Sequence, residues 1–407
     1  MDQIKKMRDD VHLDEGLVEE ILVRLPAKSV LCYRAVCKEW LRITKCPAFL
    51  AEHARRRPLE VLLYTRTTAA VADGVGRQVL ALDAVAVSGG PRRPVARHPL
   101  MAEPRTYRSI QYCPLLASCD GLLLLGVGGV EPEQYLICNP TTRQWSDLPR
   151  PSGYAGLEEH RESGFYFHEP SGEYRLLYYV SKRHGTTAYY CVLSVGANVP
   201  RRLAVQATPI EHTVAVASHG GHEFGSLHNL MTPAVLHGHL HWLQHMEAGL
   251  SGQMVAFDTV AETFRRMPPP PVTQKKNSNL LAADGSLMAC EPGHLFIDLW
   301  ALDGYAGAAA TGKERWERRH RIEVPWKAYT LVLTAGDDEG HVVVGTKLGV
   351  LAYNVRSGAV RLLTGVDASG GPQAVDPSRH VLRESLVRHD FFERRPHPGL
   401  PFFSFCT

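Results

Sequence analysis

The chain has 407 residues, with 45 Lys+Arg against 42 Asp+Glu and a formal charge of +3. At 44% hydrophobic and 21% charged, its composition lies in the globular range and outside the disordered one. The length allows roughly two or three domains, and the near-neutral balance excludes a nucleic-acid protein held by bulk electrostatics. No run approaches the ~18 consecutive apolar residues of a membrane span. The opening MDQIKKMRDDVHLDE lacks the apolar stretch of a secretory signal, so an intracellular protein, cytoplasmic or nuclear, is expected. The nine cysteines include no C-x-x-C pair, which argues against a zinc ribbon or a disulfide scaffold. Most stand among apolar neighbours, as in Leu31-Cys32-Tyr33 and Ile137-Cys138, and are expected to act as small buried hydrophobes.

Residues 13–50 carry the helical signal. Leu13, Leu17, Ile21, Leu22 and Leu25 recur at three- and four-residue steps, the spacing of one helical face. Asp14 and Glu15 favour its start, and Pro26, with no amide hydrogen, ends it. A second helix is predicted over Ser29–Val36 and a third from Lys38 through Trp40 and Ile43 towards Leu50. So small a helical unit buries little by itself and needs a neighbour or partner to complete its core. Arg55-Arg56-Arg57-Pro58 marks the seam.

Beyond the seam, short apolar runs alternate with Gly, Pro, Asn and Asp. They include Val61–Tyr64, Leu122–Leu125, Tyr135–Cys138, Arg175–Val180, Tyr189–Val195, Leu240–Leu243, Met254–Phe257, Leu295–Leu302, His341–Val344 and Gly349–Tyr353. This is the pattern of an all-β domain, without the long helices of a parallel α/β sheet. One unit repeats: Tyr135-Leu-Ile-Cys-Asn139-Pro-Thr-Thr-Arg-Gln-Trp145, Met254-Val-Ala-Phe-Asp258-Thr-Val-Ala-Glu-Thr-Phe264 and Val350-Leu-Ala-Tyr-Asn354-Val-Arg-Ser-Gly-Ala-Val360. Each is a strand, a tight polar turn and a second strand. Phe165–Tyr174 repeats it more loosely. The turn residues lie 119 and 96 positions apart, fitting multiples of the roughly 40–50 residues of a propeller blade. Residues 58–380 would hold roughly six to eight blades, whose radial closure protects the edges of many short sheets.

The two parts together resemble plant F-box proteins with a C-terminal F-box-associated, kelch-like β-propeller. The N-terminal match runs from Leu13 through Glu19-Glu-Ile-Leu-Val-Arg-Leu-Pro26-Ala-Lys-Ser29 to Arg34-Ala-Val-Cys37-Lys-Glu-Trp40. It departs from the family at Asp14, where Pro is usual. The remainder is similar at Ser118-Cys-Asp-Gly121-Leu-Leu-Leu-Leu125, Cys138-Asn-Pro-Thr-Thr-Arg-Gln-Trp145, Val235-Leu-His-Gly238-His-Leu-His-Trp242, Phe257–Pro268, and a closing region holding Asp298-Leu-Trp300 and Trp316. The fold implied is α+β and multidomain, a small helical F-box over 10–55 followed by an all-β propeller over 58–390. The function implied is that of a non-catalytic substrate receptor in an SCF-type cullin–RING ubiquitin ligase. The F-box would dock on a SKP-type adaptor, and through it on cullin, while the propeller would bind a protein target. Leu13, Leu17, Ile21, Leu22, Leu25, Pro26, Val30, Leu31 and Trp40 are the candidates for the adaptor surface or its support. The rival reading is an enzymatic or ligand-binding propeller with a non-docking F-box remnant, for which Asp14 is the only sequence support.

Other chemistry is weaker. Gly307-Ala-Ala-Ala-Thr-Gly312-Lys313-Glu314 nearly spells a phosphate loop, but Glu314 stands where a hydroxyl must hold magnesium. His237, His239 and His241 alternate, and on a strand would share one face, with His219, His222, His228 and His245 nearby. Such tracts are compositional hints, and neither a metal nor a cofactor is expected. No nucleophile elbow or catalytic triad can be drawn. Pro268–Pro271 reads as a stiff loop, and the Arg pairs at 92–93, 201–202 and 265–266, with Arg318-Arg319-His320-Arg321, as solvated loop charge that could also meet acidic targets.

Overall fold

The computed structural model describes residues 14–69, 77–99, 115–128, 132–148, 158–182, 188–204, 232–243, 254–272, 278–305, 307, 314–324, 333–346, 349–365, 375–394 and 404–405. Leu13, Cys113, Cys406, His219, His222, His228 and His245 lie outside them.

The helical periodicity near the N-terminus builds α1 (Glu15–Arg24). Asp14 starts it, its carboxylate accepting from the Gly16 amide at 3.1 Å, as an aspartate N-cap should. Leu25 is extended, and Pro26 leads into α2 (Ala27–Tyr33), which begins before the expected Ser29. The single third helix expected towards Leu50 is instead two, α3 (Lys38–Ile43) and α4 (Pro47–Arg56). Pro47 fits only a first helical turn, so the chain breaks at Thr44–Cys46 and restarts there. Val18, Leu22, Val23, Ala27, Val30, Ile43 and Phe49 form the core of these helices.

The rest is antiparallel sheet. The strands are β1 (Glu60–Ala69), β2 (Arg77–Ala86) and β3 (Arg93–Pro99), then β4 (Leu115–Cys119), β5 (Leu122–Gly128), β6 (Pro132–Asn139) and β7 (Gln144–Leu148). There follow β8 (Glu158–His168), β9 (Glu173–Lys182), β10 (Ala188–Ser194) and β11 (Arg201–Arg202), and β12 (Ala234–Leu236), β13 (His239–Leu243), β14 (Met254–Asp258) and β15 (Thr263–Met267). Next come β16 (Asn279–Ala283), β17 (Ser286–Pro292), β18 (Phe296–Asp303) and β19 (Arg315–Glu323). The chain ends with β20 (Leu333–Gly336), β21 (His341–Thr346), β22 (Gly349–Asn354), β23 (Val360–Gly365), β24 (Val375–Leu382), the short helix α5 (Asp390–Arg394) and β25 (Ser404–Phe405).

These strands make six sheets, the low end of the six to eight expected. Five are simple four-strand meanders. The sixth closes the ring: β24, from the far end of the sequence, pairs with β1, and β25 adds outside β3 in the order β24-β1-β2-β3-β25. The inner strands converge near the axis. There a Cβ on Gly336 of β20 would stand 2.2 Å from the Ala282 carbonyl of β16, so only glycine fits.

The apolar runs do not alternate with polar residues because each blade is sandwiched between two others. Leu122 and Leu124 of β5 enter the core shared with β8–β11, while Leu123 and Leu125 enter the one shared with β1–β3. Val342 and Val344 of β21 divide from Val343 in the same way. A side chain so buried contributes about 1.5–3 kcal/mol.

The sequence repeat is the turn between the third and fourth strands of a blade. Asn139 Oδ1 accepts from the amides of Thr141 and Thr142 at 3.0 and 3.2 Å. Asp258 Oδ1 does the same for Val260 and Ala261 at 2.8 and 2.9 Å, and Asn354 Oδ1 for Arg356 and Ser357 at 3.0 and 2.9 Å. The fifth residue of each, Arg143, Glu262 or Gly358, is left-handed. Asn and Asp serve here because a short acceptor can fold back on its own turn. Phe165–Tyr174 is a different joint, the connection between the first two strands of its blade, closed by a 3-10 turn at Glu169–Ser171.

Candidate functional site

The helices carry apolar residues on two faces, and only one face is used internally. Val18 and Leu22 are buried, whereas Leu17 and Ile21, one helical turn apart, are 50% and 45% exposed. Tyr33 at the end of α2 and Val36 just beyond it are exposed as well. Trp40 is half-buried, its ring set edge-on to Tyr33 at 5.6 Å.

The nine sequence candidates therefore separate. Leu17, Ile21 and Pro26 face solvent, Leu25, Leu31 and Trp40 are half-buried, and Leu22 and Val30 belong to the interior of the helices. Leu13 lies outside the described residues. Tyr33 and Val36 were missed because neither falls on the periodicity of α1.

Polar contacts tie the helices to one another. Arg56 bridges to Glu20 at 3.0 Å, tying α4 to α1, and Arg42 bridges to Glu15. Arg57 Nη2 donates to the carbonyls of Val23 and Arg24 at 3.2 and 3.1 Å, covering the C-terminal end of α1. His53 Nε2 donates to the Leu25 carbonyl at 2.9 Å. Burial pushes this imidazole below its ordinary range, so it stays neutral at pH 7.

The helical core is completed from the other end of the chain. Leu386, wholly buried, joins Leu22, Phe49 and their neighbours. Its segment is fastened to the propeller by motif residues. Asn139 Nδ2 donates to the carbonyls of Ser385 and Val387 at 3.0 and 3.3 Å, and Gly121 lies against Ser385. Further on, His389 and Phe391 stack at 5.0 Å, and His389 meets Tyr174 edge-on at 5.2 Å. Periodicity could not reveal this strap, since a single buried leucine in a coil leaves no pattern.

The cysteine expectation needs correction. Cys138, Cys191 and Cys290 are buried, but Cys32, Cys37 and Cys46 are exposed and Cys119 is intermediate. The helical unit is too thin to cover the first three, which lie in or between its helices. Cys37 instead caps α3, its Sγ accepting from the Trp40 amide at 3.4 Å.

The histidine tract is also not one face. His237 sits in a left-handed turn, while His239 and His241 lie buried on β13. His241 Nδ1 donates to the Ala234 carbonyl at 3.1 Å and Nε2 accepts from the Tyr305 hydroxyl at 2.7 Å, so both nitrogens are engaged. Among the described residues, Asp337, Glu339 and His341 come within metal-binding reach of one another. Asp337 is already occupied, Oδ1 by the amides of Glu339 and His341 and Oδ2 by the His341 ring, so the group closes the turn from β20 to β21. Of the phosphate-loop look-alike, only Gly307 and Glu314 are described, and the connection joins β18 to β19 rather than opening a helix. Among the described residues no helix is long and apolar enough to cross a membrane.

Comparison with known proteins is consistent with this architecture. Residues 97–354 match the family described as the F-box associated beta propeller domain. F-box protein At5g18160 of Arabidopsis thaliana is 30% identical over 170 residues, which cover 39% of this chain and 37% of that protein. F-box protein At3g07870 of the same plant is 23% identical over 338 residues, 76% of each chain. Among solved structures, an oligogalacturonate lyase in complex with manganese aligns with 78% of this chain and 89% of its own at 10% identity, with a TM-score of 0.38. That likeness bears on no chemistry.

Proposed function

Since the chain belongs to the F-box associated β-propeller family, we propose that it is the substrate receptor of an SCF-type cullin–RING ubiquitin ligase, itself without catalytic activity. Helices α1–α4 are the F-box, which docks on a SKP-type adaptor and through it on cullin; the propeller holds the protein to be ubiquitinated. The observation that carries this is the pair Leu17 and Ile21, two large aliphatic side chains left in solvent on a helix whose opposite face is already full. Exposed apolar residues grouped on a small rigid unit are what a protein interface buries. Asp14, the one departure that favoured a decayed F-box, makes the N-cap of α1 and so speaks for an intact helix.

The strap whose Leu386 completes the helical core lies against the turns of Gly121 and Asn139, a first-to-second and a third-to-fourth strand turn. The opposite face of the disc and its rim are left for the target. The test is copurification of the full chain with a SKP-type adaptor, beside the Leu17→Asp, Ile21→Asp variant. A stoichiometric complex, lost in a variant with unchanged circular dichroism and melting, is the expected result. No complex with the unaltered folded chain would overturn the reading.

A further inference from the structure

The outer strands of the six blades present free edges, and an open edge strand invites another chain to pair with it. Five of the six are protected. β3 is covered by β25 and β7 is packed by α5. β11 is only two residues, both arginine, and β15 carries Arg265 and Arg266 with its Phe264 and Met267 turned inward, then runs into four prolines. β19 exposes Arg315, Glu317, Arg318, Arg319, Arg321 and Glu323, charges that resist pairing.

β23 is the exception over Val360–Leu362, the regular stretch that precedes its bulge at Leu363. Val360 and Leu362 stand on one face, 58% and 60% exposed, while Leu363 packs into the core shared with β1 and β2. Beyond β23 the described residues add no strand to its sheet. Between the two aliphatic side chains Arg361 points to the other face, against Gly89, and is exposed.

We propose that the outer edge of β23 docks an extended segment of a protein partner, which adds as a fifth strand with the side-chain pattern apolar–acidic–apolar. The molecule shows the same mode in itself, since β25 lies antiparallel along the outer edge of β3, Phe405 opposite Ala96. Main-chain pairing supplies the attachment, and the alternating side chains supply the choice. Residues beside Val360 and Leu362 must be apolar to cover them, and the one beside Arg361 must be a carboxylate, because cross-strand neighbours of opposite charge attract. The inference rests on the receptor reading for the partner's being a target protein, but the edge itself does not depend on adaptor docking.

The experiment leaves the adaptor out. An array of heptapeptides alternating Val with Thr, with Glu, Lys or Ser at the centre, is probed with the full chain. The expected result is retention by Glu-centred peptides, at least tenfold weaker in Val360→Lys, Leu362→Lys, and a switch of preference to Lys-centred peptides in Arg361→Glu. Equal binding in the Val360→Lys, Leu362→Lys variant, no switch with Arg361→Glu, or no retention of any alternating peptide would overturn the proposal. Copurification with the adaptor, run on the same preparations, reports separately on the receptor reading.

Discussion

The side-chain amide of Asn139 donates to the carbonyl of Ser385 at 3.0 Å, across 246 positions of sequence. One end of that bond belongs to the repeated turn of a blade, the other to a strap whose next residue, Leu386, fills the core of the helices. The orientation of the helical unit on the propeller is therefore set by residues of three distant segments, and under the proposed function an adaptor on the helices would stand in a fixed relation to a target on the propeller.

Removing the leucine should separate the two parts energetically. Leu386→Ala deletes a fully buried side chain, which typically costs about 2–5 kcal/mol. Hydrogen exchange should rise across residues 15–56 while β5, β6 and β14 keep their protection. Uniform loss across all blades would instead mean that the strap holds up the ring itself.

Glu262 fastens two neighbouring blades. Burial alone would raise its carboxyl, but hydrogen bonds from Tyr166, Arg175 and Arg201 outweigh it and hold the group below its ordinary value. The stability it adds is complete above the unfolded carboxyl range and is lost as pH falls through the lower folded value. Glu262→Gln should cost about 2 kcal/mol at pH 7, the order of hydrogen bonds to a charged group, since Arg201 is half exposed and Arg175 keeps Glu173. In urea titrations the gap from wild type should close as the pH falls below the carboxylate range; a gap independent of pH would remove charge from the explanation.

His241 gives the opposite end of the acid response. Burial, its principal cause, pushes the ring down to about 4, against about 6.5 for the unfolded side chain. The neutral ring's contribution is full above pH ~6.5 and disappears as pH falls towards about 4, at most about 3 kcal/mol for a displacement of that size. Comparing wild type with His241→Gln isolates this from the other buried histidines. The variant's stability should fall less steeply between pH 6.5 and 4; parallel curves would show that the fold does not depress the ring and that His241 takes up its proton as readily as in the unfolded chain.

What the sequence carried depended on how far apart the interacting residues lie. The apolar runs named beforehand fall in strands, with only Val195 and Leu295 one residue outside theirs, and Asn139, Asp258 and Asn354 occupy one turn geometry, because a strand and its hairpin are set by neighbours. The break before Pro47 was legible in principle, since proline announces a first turn. The pairing of β24 with β1, the strand β25 and the burial of Leu386 were not legible, because each joins segments hundreds of positions apart with no periodicity between them. The site was half readable for the same reason: periodicity finds the apolar residues of α1 but cannot say that Leu22 turns inward while Ile21 remains outside.

Gly121 offers the sharpest test of the strap. It follows Asp120 in the turn from β4 to β5, and its φ of +83° is one that side chains resist. A Cβ there would stand 2.5 Å from Ser385 Cβ and 2.8 Å from the Arg383 carbonyl, so the strap must move. Gly172, with φ +66° and nothing within 4 Å of its added Cβ, has the backbone strain without the collision. Gly172→Ala should therefore cost only about 1 kcal/mol, with exchange in the helices unchanged. Gly121→Ala should cost more than twice that and raise exchange across residues 15–56, as Leu386→Ala does. If the two glycine variants proved equal in both readings, the contact with Ser385 would contribute nothing, and the helices would be held in place by their own packing alone.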